Sequence, residues 1–381
     1  MNIKIAFLTA TAMGLALGAA QAGNSNKAYS YQNGSDNSAS VTQTGSSNQA
    51  GTAGQNLTQS GDENVLTISQ GNFDNTAGTF GIGIDQIGNY NALTISQMAN
   101  SNRVNQVQQT GSATATELTN SASFTQNNNA SVKNVVQTNT TGTTAAEANV
   151  ITATQTNSWN RIGTTANLGG GLFQIGNTNT ITIDQLSDSH VVELVDQFGN
   201  GNTVDIEQKQ GGGVGSDIGS VLQTGNGNTA LITQRTNNGN GVTTVDQDGN
   251  ANYAFIDQAG QDNRVALVDQ DGGNNSSTLT FTGNRNGNGG FALSFNDRGL
   301  AQGEVIQNNS GLGLNAISYT VLGDDNLFAF KQDGTGNSIT GTVGNVLASD
   351  DNQVAVLQTG NNNVTSFSQV GGGGNSLSVS Q

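Results

Sequence analysis

Residues 174–185 read Gln-Ile-Gly-Asn-Thr-Asn-Thr-Ile-Thr-Ile-Asp-Gln. The skeleton is Q-x-G-x-x-N, five residues, and a second Gln. It recurs unchanged at 32–43, 59–70, 86–97, 197–208, 223–234, 247–258 and 358–369. A fixed self-similar unit is the signature of a repeat architecture. After Asn179, the residues at two-step spacing are Ile181, Ile183 and Gln185, with Thr180, Thr182 and Asp184 between them. Such alternation marks a strand with one face turned inward. Gln174 and Asn179 are five apart, so a straight strand would place them on opposite faces. A tight arc over x-G-x-x lets both face the same interior, and Gly176 suits the backbone of such an arc.

The same reading assigns inward amides along the chain. They are Gln32, Asn37, Gln43, Gln59, Asn64, Gln70, Gln86, Asn91, Gln97, Gln174, Asn179, Gln185, Gln197, Asn202 and Gln208. The set continues with Gln223, Asn228, Gln234, Gln247, Asn252, Gln258, Gln358, Asn363, Gln369, Asn375 and Gln381. Substituted copies begin at Phe281 and Val321 and lead to Asn286 and Asn326. A buried side-chain amide is costly unless it is hydrogen-bonded. In a stack of units, each amide donates to the rung on one side and accepts from the rung on the other. The expected fold is therefore all-β: a cross-β-like β-solenoid of stacked strand-arc-strand repeats, with about 13–15 rungs. Because the motif runs on to Gln381, the strand there is expected to offer an open edge.

Composition agrees. Only 33% of the 381 residues are hydrophobic and 10% are charged, and there is no Pro and no Cys. Disordered chains are usually rich in Pro and charge. The absence of Pro suits a chain made mostly of β-ladders. A net charge of −16 disfavours nucleic acid, which needs clustered Lys and Arg. Without Cys there are no disulfides or thiolate metal sites.

Residues 1–22 read as a secretory signal: Lys4, an apolar run from Ile5 to Leu17, and Ala20-Gln21-Ala22 as the cleavage site. Loss of Lys4 takes the net charge from −16 to −17. Residues 23–31 form a short lead, and 32–381 the solenoid, with degenerate repeats around 103–173 and 283–320. Acids precede the motif Gln at Asp85, Asp184, Asp196, Asp246, Asp257 and Asp269. Alternation turns that position outward, where a column of like charge acts as a gatekeeper against premature aggregation. A cation ladder or ordinary solvated charge are the alternatives. The single His190 falls five after Gln185, where Asn is expected. It reads as a substituted ladder residue rather than a catalytic or metal-binding group.

The repeated Q-x-G-x-x-N-x5-Q unit resembles the curlin repeat of curli fibre subunits, over most of residues 32–381. That resemblance implies a structural, non-enzymatic protein without cofactor, secreted to the surface of a Gram-negative cell. There such subunits form functional amyloid fibres for biofilm matrix and adhesion. The implied partners are further copies of the chain, a second curli-type subunit or nucleator, and an outer-membrane secretion pore of the curli type. A monomeric β-solenoid adhesin or glycan-binding module is the alternative.

Overall fold

The structure is a computed structural model that describes residues 21–22, 24–54, 57–79, 81–141, 144–163, 170–209, 215–235, 239–291, 300–344, 351–369 and 373–381. The signal sequence assigned to 1–22 lies outside the described residues except at 21–22. Apart from a short 3-10 turn at Ala145–Glu147, the described secondary structure is β-strand. The chain divides into two compact units, Met1–Gly201 and Asn202–Gln381. Each is a β-solenoid of parallel strands.

In each unit one turn contributes a strand to each of two sheets. The first sheet takes the strand after the arc, as in Thr180–Gln185, and the second takes the strand before it, as in Gly171–Ile175. Every turn sits on its neighbour in register. Ile151 pairs with Ile181, Ala153 with Ile183 and Gln155 with Gln185 in the first sheet. Leu172 pairs with Val195 and Gln174 with Gln197 in the second. Each unit holds seven strand levels in the first sheet, the earliest being only Gln21–Ala22, paired with Gln43 and Thr44. The alternating residues behave as the pattern requires: Ile181, Ile183, Val192 and Val195 have 0% of their surface exposed. Each such burial stabilises by roughly 1.5–3 kcal/mol.

Second-sheet strands do not alternate strictly, and the structure shows why. In Val191–Phe198, Val192 and Val195 face inward while Glu193 and Leu194 both turn out. The same pair of outward residues recurs in Asp217–Thr224 and Arg264–Gly272. The strand kinks and uses seven steps from the inward His190 to Gln197, against six from Asn179 to Gln185.

The degenerate stretches are full members of the stack. Asn120–Gln126 and Asn149–Gln155 pair residue for residue, as do Asn275–Thr282 and Asn315–Leu322. The lead also differs from expectation. Lys27–Ala28 and Ser30–Asn33 pair with Gln49–Ala50 and Leu57–Ser60, so they belong to the solenoid. In the second unit the arrangement of the first sheet changes where Phe281, Val321 and Val343 take the place of the motif Gln. Tyr319 packs there against Phe328 at 5.3 Å, Phe330 at 4.8 Å and Phe367 at 6.2 Å. Gly341 leaves the room that the Phe367 ring fills.

The arc glycine is fixed by stacking as well as by its dihedral. Gly225 has φ of +109°, and a Cβ on it would run into the carbonyl of Gly249 in the next rung. Gly227, in the same arc, has φ of +67° and open space around it. Gly225→Ala is therefore expected to lower stability by about 3 kcal/mol or more. Gly227→Ala should cost only about 1 kcal/mol. Urea unfolding of the two variants separates the effects, and equal losses would contradict the stacking argument.

Candidate assembly site: the amide ladders

A motif Gln inside the stack can be held on three sides, as Gln247 shows. The Gln247 side-chain NH2 donates to Gln270 Oε1 at 2.8 Å and to the Thr229 carbonyl at 3.0 Å, while its Oε1 accepts from Gln223 at 2.7 Å. The backbone carbonyl belongs to the facing first-sheet strand, so Gln247 ties the two sheets together as well as the rungs. In the first unit the second-sheet ladder passes through Gln32, Gln59, Gln86, Gln109, Gln137, Gln174 and Gln197. The first-sheet ladder passes through Gln43, Gln70, Gln97, Gln126, Gln155 and Gln185. In the second unit one ladder joins Gln208, Gln234 and Gln258. The other runs from Gln223 and Gln247 through Gln270, Gln307 and Gln332 to Gln358 and Gln381.

The Asn positions close the arcs. Asn252 donates its backbone NH to Asn228 Oδ1 at 3.0 Å and its side-chain NH2 to the Gly272 carbonyl at 2.9 Å. Its own Oδ1 accepts from Asn275 at 3.0 Å. Asn37 and Asn64 donate likewise to the Gly61 and Gly88 carbonyls, the backbone NH groups of Asn64 and Asn91 bond to the preceding Asn Oδ1, and Asn179 and Asn202 donate to Gly199 and Gly225. The residue before the Asn takes a left-handed backbone, with φ of 54° at Asp36 and 58° at Thr178. His190 lies in the Asn column of the turn's other arc, five residues after Gln185, its backbone NH bonded to Asn160 Oδ1 at 3.0 Å.

The other sequence-assigned positions sit differently. Asn363 and Gln369 are half-buried, and Asn375 and Gln381 are exposed, because no described strand lies over them. Asn363 and Asn375 still bond back to Asn337 and Asn352, and Gln381 to Gln358 at 3.1 Å. Gln369 sits beside Val343 in the register, and its buried Oε1 has no partner.

Ladder members outside the full motif include Gln109, Gln307, Asn75 and Asn160. Gln109 keeps Q-x-G at Gly111, but the Asn is delayed to Asn120 by a loop. In the Gln307 arc, Asn309 stands in the Gly position. Asn75 and Asn160 lie five residues after Gln70 and Gln155, a spacing that signals the second arc without Gly two residues after the Gln.

The acidic positions do not make the single column expected. The residue before a motif Gln lies on the first sheet at Asp184 and Asp257, and on the second at Asp85, Asp196, Asp246 and Asp269. Only Asp246 and Asp269 are register neighbours. Asp257 is not open to solvent: Arg235 covers it with a 2.8 Å ion pair and it is 8% exposed. Burial pushes its carboxyl up, against the pull of Arg235. Burial likewise raises Asp85 and Asp196. Asp248 and Asp271 flank Asp246 and Asp269 to make a square of acids. Burial first, then the surrounding carboxylates including Glu304, raises Asp269; burial with Asp248 and Asp271 raises Asp246. Among the described residues no group of His, Cys, Asp or Glu is arranged to hold a metal ion.

With this geometry in place, the family comparison is direct. The curlin associated repeat model matches residues 18–45 and 242–267. The second match spans the Gln247, Asn252 and Gln258 ladder positions. No curated protein matches the chain. Two stretches of the chain thus match the curlin associated repeat, and the described residues stack as a β-solenoid. No described helix is long and apolar enough to cross a membrane.

Two outcomes follow. Gln247→Leu strands the Gln223 donor and the Gln270 acceptor in the core, at about 1–3 kcal/mol for each unsatisfied group. The loss should exceed the value of one ordinary hydrogen bond in chemical denaturation. For the acid square the sign follows from the raised folded values. The folded state holds its protons more tightly, so stability falls as pH rises from the ordinary carboxylate value of about 4 through the raised values, then levels off. Two carboxylates about 4.8 Å apart in water repel by about 0.9 kcal/mol. Asp269→Asn should therefore raise the melting temperature at neutral pH and flatten its pH dependence; a lower melting temperature would contradict the repulsion.

Proposed function

We propose that the protein is an extracellular fibre subunit that polymerises end to end by strand addition, as a curli-like functional amyloid for biofilm matrix and adhesion. The observation that carries this reading is the interchangeability of the rungs. Gln174 to Gln197 and Gln247 to Gln270 repeat one set of side-chain bonds, over parallel strands in register. Any rung edge of this kind presents the donors and acceptors that another rung needs, and paired strands about 4.8 Å apart are the cross-β spacing. The signal-like residues 1–22 fit export, followed by passage through a curli-type outer-membrane pore of a Gram-negative cell. A nucleating or second curli-type subunit is the matching heterologous partner. Asp85, Asp184, Asp196, Asp246 and Asp269 act as gatekeepers, their charge slowing association before export.

The purified chain should convert to thioflavin-positive fibres with a meridional reflection at about 4.7–4.8 Å. Seeds of such fibres should remove the lag. Protein that stays monomeric under these conditions would sink the fibre reading and favour a solenoid adhesin.

A further inference from the structure

The outward face of the first sheet carries a second repeat that the ladders do not use. In the first unit, Ser40, Thr67, Thr94, Ser123, Thr152 and Thr182 stack in one column of register neighbours. Two residues further along each strand the hydroxyl recurs in the first five rungs, from Thr42 to Thr154, with Asp184 in the sixth. The second unit repeats the pattern from Thr278 and Thr280 to Ser366 and Ser368. All these side chains are half-buried or exposed. Among the described residues none of the hydroxyls is engaged within the protein, so their hydrogen-bonding capacity faces outward.

The result is a two-dimensional hydroxyl lattice. Its repeat is about 4.8 Å along the stack and about 6.6 Å along the strand. The register is rigid because the inward neighbours Ile68, Ile95 and Phe124 are packed, and Gln70, Gln97 and Gln126 are bonded rung to rung. The lattice has no cation and only Asp184 as an acid, so it suits a neutral surface. No aromatic ring projects from its two columns, which removes the usual apolar platform for a sugar ring. Hydroxyls and Thr methyls at fixed spacing order water, and ordered water bridges surfaces nearly as well as direct contact. The repeat along the stack lies close to an oxygen repeat on a prism face of ice, and across the stack only two columns have to fit. We propose that this face binds ice through an ordered layer of water held on the Thr and Ser columns. The inference does not depend on fibre formation.

The test is partition of the purified, fluorescently labelled protein into slowly growing ice. The protein should enter ice with about tenfold enrichment over a non-binding control protein, and Thr94→Tyr should abolish that enrichment. Ser96→Tyr, in the neighbouring column, should do the same. Thr94→Ser should keep the enrichment, as should Thr224→Tyr on the second sheet. Far-UV circular dichroism establishes that each variant retains its β-structure. Exclusion of the wild type from ice would overturn the proposal, as would wild-type partition of both Tyr variants in the array. Retention on microcrystalline cellulose together with exclusion from ice would assign the face to a glycan instead.

Discussion

A buried primary amide cannot stand alone, and that constraint governs this fold. A hydrogen bond once made is worth only about 0.5–1.5 kcal/mol net, whereas a buried donor or acceptor left unmade costs about 1–3 kcal/mol. Gln247 sits in the core with all its capacity committed, to Gln223, Gln270 and the Thr229 carbonyl. Any slip of register along the strand would strand all three bonds at once. The ladder is thus less a source of gross stability than a device that allows one alignment. The Ile and Val residues around it supply burial but would tolerate more than one packing.

The ladder also explains which parts of the chain are free to vary. Gln137 bonds to Gln174 across 37 residues, and Gln247 to Gln270 across 23, with the same geometry at 2.9 and 2.8 Å. Part of the extra length goes into the arc, where Asn149 follows Gln137 by twelve residues, and part falls between Ile162 and Gly171, which both pair with the continuous Val191–Phe198. In the second unit Asn286 keeps its ladder bonds to Asn263 and Asn326, and beyond it Phe291 and Leu300 pack with Leu327, Ala329 and Ala355. Loop closure grows slowly with length, so insertions there cost less than one misplaced inward residue. The arc glycine is the exception, because the next rung's carbonyl occupies the space of its missing side chain.

Much of this was legible because one motif encodes one arc and one strand. Q-x-G-x-x-N-x5-Q located the first-sheet strands and most ladder residues. The second-sheet strands were less legible, since the outward pair Glu193 and Leu194 breaks the two-residue period. Asn75 and Asn160 escaped because their arcs lack Gly at the motif position, and Gln109 because a loop parts it from Asn120. The acids were placed in one column because the position before a Gln occurs on both sheets, a distinction that linear spacing does not carry. Nothing in the spacing showed that Arg235 covers Asp257. The aromatic packing of Tyr319, Phe328 and Phe330 needs the register, since Tyr319 and Phe328 lie on facing sheets.

Because the inward residues carry the cohesion, the outward residues are released from it. The two units use that freedom differently on the same backbone. In the first unit the first sheet shows Thr and Ser, residues of good β-propensity and little reach. In the second unit, Asp205, Glu207 and the Arg235–Asp257 pair take the same face before Thr278 and Thr280 restore the hydroxyls. An ordinary globular core could not support such changes without repacking, for its outer and inner residues share contacts. Here each outward side chain meets mainly its register neighbours about 4.8 Å away. Charge on one such column, as at Asp246 and Asp269, is felt along the stack and by the next column at Asp248 and Asp271. A surface property is written one column at a time, and the ladder beneath keeps each column straight.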